Sequence, residues 1–182
     1  MPVEIELVSP TLALRDEVAD CLADFAGTAV DGSGITDPSR TPRTDDELGE
    51  FVARRLAEED PATELADGWV HCTSRWIRET ATGEVLGFLA VRHQLTPFLL
   101  EAAGHIGYSV RPGVRRRGVA TGALAQGLEI AAELGIDPVL ITCDTDNTAS
   151  RRTIEGAGGT LEDIRDGKRR YWIGEGERPV LR

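Results

Sequence analysis

The stretch VRPGVRRRGVATGALAQGLEIAAELG, Val110–Gly135, decides how the rest of the chain is read. It starts where a β-rich run, Gly104–Val110, ends. It closes with a helical pattern, Gly118–Leu134, in which Ala120, Leu124, Leu128 and Ala131 share one side. Gly135 stands where a C-terminal cap glycine belongs. Seven residues separate Val110 from Gly118, and three of them are Arg115, Arg116 and Arg117. Unpaired N–H groups at a helix start, helped by the helix dipole, attract anions. Gly118 has no side chain, so a phosphate can approach the backbone there, and the small Ala120 fits the same reading. Flanking arginines add charge-assisted bonds. A run of arginines alone is more often a solvated surface. The strand–loop–helix setting is what makes this one a candidate anion site.

Downstream, Pro138–Cys143 is an apolar run of the kind buried on both faces of a sheet. Asn147–Ala157 reads as a helix broken by Gly158–Gly159, and Thr160–Arg165 and Arg169–Ile173 as strands turning at Asp166–Gly167. Upstream, Val3, Ile5 and Leu7 alternate with Glu4 and Glu6, which predicts a strand over Val3–Val8. Helical stripes follow over Leu12–Phe25 and about Asp45–Glu58, with a loop-like Asp31–Arg43 between them. Trp69–Glu79 and Glu84–His93 form a hairpin through Ala81–Gly83, and Gln94–Gly104 is a connection containing Pro97. The order β-α-α-β-β-β-α-β-α-β-β predicts an α/β (α+β) fold: a single mixed, mostly antiparallel twisted sheet with helices on both faces. No domain boundary stands out, so 1–182 is expected to form a single domain.

Composition narrows the function. The chain has 182 residues, 41% hydrophobic and 28% charged, enough to bury a core. No apolar run approaches a bilayer span, which argues against a membrane partner. The opening MPVEIELVSP is acidic and does not look like a secretory signal. Three widely spaced cysteines make neither a disulfide framework nor a zinc site, so no metal is expected and a reducing cytoplasm is the expected compartment. The net charge of −11 is uneven, because residues 1–67 hold 17 acids and 5 bases. So acidic a front third repels a nucleic-acid backbone. The bases cluster later, at Arg115–Arg117, Arg151–Arg152 and Arg165–Arg170, which suits a small anionic ligand better than a long polyanion.

Arg115-Arg116-Arg117-Gly118-Val119-Ala120 resembles the R/Q-x-x-G-x-G/A signature of the GNAT superfamily of N-acetyltransferases. Val110-Arg111-Pro112 resembles the V-x-P lead-in of that family. The strand Val139–Cys143, then Asn147, Ser150 and a helix ending at Gly158, resembles its next block. GHIGYSVRP, Gly104–Pro112, with the preceding pair Arg92–His93, is similar to an uncharacterised bacterial subgroup. The likeness covers roughly residues 68–175.

The resemblance implies acetyl-coenzyme A as donor, coenzyme A as product, and an amine of a small molecule, protein or peptide as acceptor. It implies that the amides of Arg115, Arg116, Arg117, Gly118, Val119, Ala120 and Thr121 take the pyrophosphate. The backbone near Tyr108, Ser109 and Val110 would line the pantetheine as if that arm were a strand, with Asn147 and Ser150 beside it. Residues 68–182 would then be the acetyl-coenzyme A core. Residues 1–67 would stand beside the acceptor groove, and their charge favours a cationic amine. Homodimers are common in the family.

For catalysis, many relatives place a tyrosine acid seven residues after the asparagine, and here that position is Ile154. Either Tyr108, Ser109, Ser150 or a water replaces it, or the thiolate leaves unassisted. Ser150 suits a helix-capping role equally well, and Asn147 either caps the same helix or, the preferred reading, lines the site and orients the strand ends and cofactor. His105, at the start of the central strand, is the candidate base because histidine titrates in the useful range, although a structural role suits it as well. His93 and Glu101 are weaker candidates; His71 and Cys143 read as core residues. A non-catalytic acyl-coenzyme A binding or sensing module is the alternative that Ile154 keeps open.

Overall fold

The structure is a computed structural model that describes residues 3–178, so residues 1–2 and 179–182 of the expected 1–182 domain lie outside it. Its centre is the hairpin of β2 (Cys72–Glu79) and β3 (Val85–Arg92). Every β3 residue except Arg92 is buried, as expected for a strand covered on both faces. β1 (Ile5–Val8) pairs antiparallel with β2 on one side, and β4 (Ile106–Val110) with β3 on the other. Three further strands, β5 (Val139–Asp144), β6 (Thr160–Arg165) and β7 (Lys168–Ile173), form a second antiparallel sheet in the order β5-β7-β6.

The element order matches the sequence reading, and the helices do lie on both faces. The hydrogen bonding, however, divides the expected single sheet in two. β4 and β5 meet only at one end, through an isolated bridge between Gly104 and Ile141. Strand alternation explains the two layers. Phe88 pairs with Trp76, and both face α1 (Arg15–Asp24) and α2 (Asp45–Glu59) in a core with Val18, Leu22, Phe51 and Val52. Leu89, Val91 and Ile106 face the other way, towards α3 (Val119–Glu133) and α4 (Thr148–Gly156), in a core with Val119, Leu124, Ile154 and Tyr171. A capping box starts α2: Thr44 accepts from Glu47 N–H, and the Glu47 carboxylate accepts from Thr44 N–H.

Candidate active site

The site exists because β4 and β5 part. The His105 N–H donates to the Leu140 carbonyl at 2.7 Å, and the Leu140 N–H donates to His105 Nδ1 at 2.9 Å. This reciprocal pair uses the backbone groups that would otherwise start a ladder. Beyond it, Tyr108–Val110 and Thr142–Asp144 become opposite walls of a cleft of about 780 Å³. Arg92 N–H donates to the His105 carbonyl and Arg111 N–H to the Leu86 carbonyl, so alternate β4 residues 107 and 109 face β3. Tyr108 then directs its N–H and C=O to the open edge, on the cleft side. That is the edge an extended pantetheine arm requires.

The start of α3 closes one end. Gly118 caps it at φ +83°, a left-handed conformation natural to glycine, and offers no side-chain acceptor. The first intrahelical bond runs from Gly122 N–H to the Gly118 carbonyl, so the amides of Val119, Ala120 and Thr121 are left for a ligand. α4 starts at the same cleft, with Asn147 Oδ1 accepting from Ser150 N–H at 3.0 Å. Arg115, Arg116, Arg152 and Lys168 add positive charge to the lining. A pyrophosphate fits this donor set. Arg117 does not join it: its guanidinium lies 3.8 Å from the Glu79 carboxylate, and its carbonyl accepts from Val3 N–H. Arg116, at φ +61°, turns the chain at this point.

Ser109, Val110, Arg115, Arg116, Gly118, Val119, Ala120, Thr121, Asn147 and Ser150 all line the cleft, and so does Tyr108. The Tyr108 hydroxyl and Ser150 Oγ are 2.8 Å apart. Burial holds the Tyr108 phenol above its ordinary pKa, so it keeps its proton at neutral pH. His105 is elsewhere. It is 5% exposed, sits at the strand junction outside the cleft lining, and uses Nδ1 as an acceptor for backbone. Burial first, and the Arg92 charge second, push its pKa down to about 4. Ile154 is fully buried in the core below α4 and is not part of the cleft lining, so it supplies no acid there. Glu101 pairs with Arg165, and His93 Nε2 bonds Thr73 Oγ1; neither lines the cleft.

Two sequence expectations about loops meet here. Asp31 from the loop before α2, and Ala102 and Ala103 from the turn before β4, form the end opposite the phosphate loop. Among the described residues of the first 67, Asp31 is the only acid in the lining. Arg152 and Lys168 belong to basic clusters visible in the sequence, whereas nothing in the pattern singled out Thr142 or Arg92 as part of the lining. Cys143 lines the cleft as well, with a thiol pushed up mainly by burial. Among the described residues, no group of His, Cys, Asp and Glu could hold a metal ion, and no helix is long and apolar enough to cross a membrane.

The acetyltransferase (GNAT) domain family matches residues 11–160. The chain belongs to the GNAT acetyltransferase family. Its donor is accordingly acetyl-coenzyme A. Among solved structures, this GNAT chain is similar to RimL, a ribosomal L7/L12 alpha-N-protein acetyltransferase, in complex with coenzyme A. The TM-score is 0.65 at 18% identity, over 94% of this chain and 96% of that one. It is also similar to the microcin C7 self-immunity acetyltransferase MccE, in complex with acetyl-coenzyme A and AMP. There the TM-score is 0.62 at 17% identity, over 94% and 93%. A third is an acetyl transferase from Salmonella typhimurium that modifies the N-terminal serine of L7/L12. It gives a TM-score of 0.61 at 17% identity, over 94% and 95%. None of the curated proteins searched matches the sequence.

Two predictions follow from this geometry. Gly118→Val adds a branched side chain beside the free amides of α3. Calorimetry should show coenzyme A affinity reduced by about tenfold or more, the equivalent of one lost charge-assisted bond, while circular dichroism keeps the native fold. His105 takes up a proton in the unfolded chain near pH 6.5 but in the folded one only near pH 4. Its contribution is present above pH 6.5 and is lost as pH falls towards 4, on the order of 3 kcal/mol in all. Urea denaturation of His105→Asn, which keeps an acceptor for Leu140 N–H, should lack that part of the acid destabilisation.

Proposed function

We propose that the chain, acting as a single catalytic unit, transfers acetyl directly from acetyl-coenzyme A to a primary amine. Residues 68–182 hold the donor, and the loops at Asp31 and Ala102–Ala103 receive the acceptor. The observation that carries this reading is the Tyr108–Ser150 pair in the cleft wall.

Acetyl-coenzyme A supplies an activated thioester when bound. The chain supplies the rest. The amides of Val119, Ala120 and Thr121, with Arg115 and Arg116, hold the pyrophosphate and fix the register of the donor. The open edge of β4 aligns the pantetheine and brings the Tyr108 N–H towards the carbonyl oxygen, where a fixed donor stabilises developing negative charge. Tyr108 is the stronger acid of the hydroxyl pair, since a phenol has a pKa near 10. It passes a proton through Ser150, or is steadied by Ser150 while donating itself, to the sulfur that leaves. Among the described residues no histidine lines the cleft, so the attacking amine arrives neutral or loses its proton to water. Asp31 attracts a cationic amine to the acceptor end. A binding-only module has no use for a half-buried, protonated phenol paired to a hydroxyl in the wall, and this favours catalysis over that alternative.

The kinetics of Tyr108→Phe and Ser150→Ala test this reading. Each should lower kcat by about 100-fold, the low end of general acid catalysis, with coenzyme A affinity within about twofold of wild type. The double variant should be little worse than either single one, because the hydroxyls act as a unit. Unchanged kcat in both would leave water as the acid.

A further inference from the structure

Arg92 ends β3, and its side chain lines the acceptor end of the cleft. It is half-buried, and among the described residues it has no carboxylate partner. Its two bonds, to the carbonyls of Ala103 at 3.3 Å and Gly104 at 3.2 Å, both use Nη1. Nη2 is left without an acceptor. A guanidinium partly removed from water without an anion is costly to keep, and carboxylate is the group its fork matches best.

The space beside it is defined by Gly107. Register pairs Ala90 with Gly107, so Arg92 and Gly107 project to the same face. A Cβ at Gly107 would lie 3.4 Å from Arg92 Nη2 and 3.4 Å from the Gly32 nitrogen. Gly107 also lines the cleft. The missing side chain therefore leaves a small opening between a guanidinium nitrogen and a backbone nitrogen. Gly32 is brought there by its own lack of a side chain, since at φ +79° a Cβ would collide with the Gly107 carbonyl oxygen. The Gly32 N–H has no acceptor among the described residues. Asp31, the neighbouring carboxylate, lines the cleft without pairing with Arg92.

We propose that Arg92 and the Gly32 N–H form a carboxylate-binding subsite, and that the acceptor is an amine carrying a carboxylate close to its amino group. Asp31 on the same loop attracts the ammonium, so the two charges of this end suit a zwitterion. The carboxylate belongs either to a free amino acid or to an acidic side chain near the amino terminus of a peptide. The Arg92 charge also contributes to the low pKa of His105, as expected of a positive potential not cancelled locally.

The inference rests on the acetyl-transfer reading for its chemistry, but it is tested by binding as well as by rate. Amino acids and their primary amides, and short peptides with Asp or Asn at the first or second position, are compared as matched pairs. Each is titrated into the coenzyme A-loaded protein and assayed with acetyl-coenzyme A, for wild type, Arg92→Gln, Arg92→Lys and Gly107→Ala. Wild type should favour the carboxylate member of a pair about tenfold or more, as one charge-assisted bond allows. Arg92→Gln and Gly107→Ala should bring that ratio close to one, and Arg92→Lys should keep part of it. The ratio between variants cancels the differing basicity of the amines. Preference among free amino acids assigns a small substrate, and preference only among peptides assigns a protein amino terminus. Equal binding within every pair, or a preference that survives Arg92→Gln, overturns the subsite even if acetyl transfer proceeds. A carboxylate preference without any transfer supports the subsite and instead contradicts the transferase reading.

Discussion

The reciprocal hydrogen bonds between His105 and Leu140 are the constraint on which the rest depends. They tie β4 to β5 at one end and occupy the groups that would otherwise begin a ladder. Beyond them the strands diverge, and one edge of β4 keeps its backbone groups for a ligand. A buried histidine is well suited to this task. Neutral Nδ1 accepts a backbone proton that no aliphatic side chain could take, and burial keeps the ring neutral. The histidine that reads in the sequence as a candidate base thus belongs to the architecture that opens the site.

Electrostatics are organised on two scales. The chain carries −11, yet five cationic side chains, Arg92, Arg115, Arg116, Arg152 and Lys168, and the starts of α3 and α4 converge on the cleft. Among the described residues, the acids of the first 67 other than Asp31 are not part of that lining, and several are paired. Asp24 holds Arg111, Glu59 holds Arg75, and Glu58 is buried against Arg55. The net charge is negative overall, while the charge of the cleft lining is mostly positive. Asp31 is the exception, a carboxylate that lines the cleft together with Arg92.

Much of this was legible in the sequence because local rules and tertiary demands agreed. The period of each segment matches its type, and the glycine and two of the three arginines before α3 do line the cleft. What failed had specific causes. Ile154 stands where the family resemblance places a tyrosine acid, and the fold puts its side chain in the core. A run of three arginines looks uniform on paper, but the left-handed Arg116 separates Arg117 from its neighbours. One sheet was expected where there are two, since hydropathy cannot report how far a shared edge stays paired. The role of Arg92 depends on Gly107 and Gly32, distant in sequence, and only the folded chain joins them.

The central claim is that coenzyme A occupies the opening between β4 and β5, with its pyrophosphate on the start of α3. Amide hydrogen exchange followed by NMR, with and without coenzyme A, tests it residue by residue. The account predicts that the ligand slows exchange at Tyr108 and at Val119, Ala120 and Thr121, amides that no backbone partner now protects. Protection confined to other parts of the chain, with these four amides exchanging as freely as before, would contradict it.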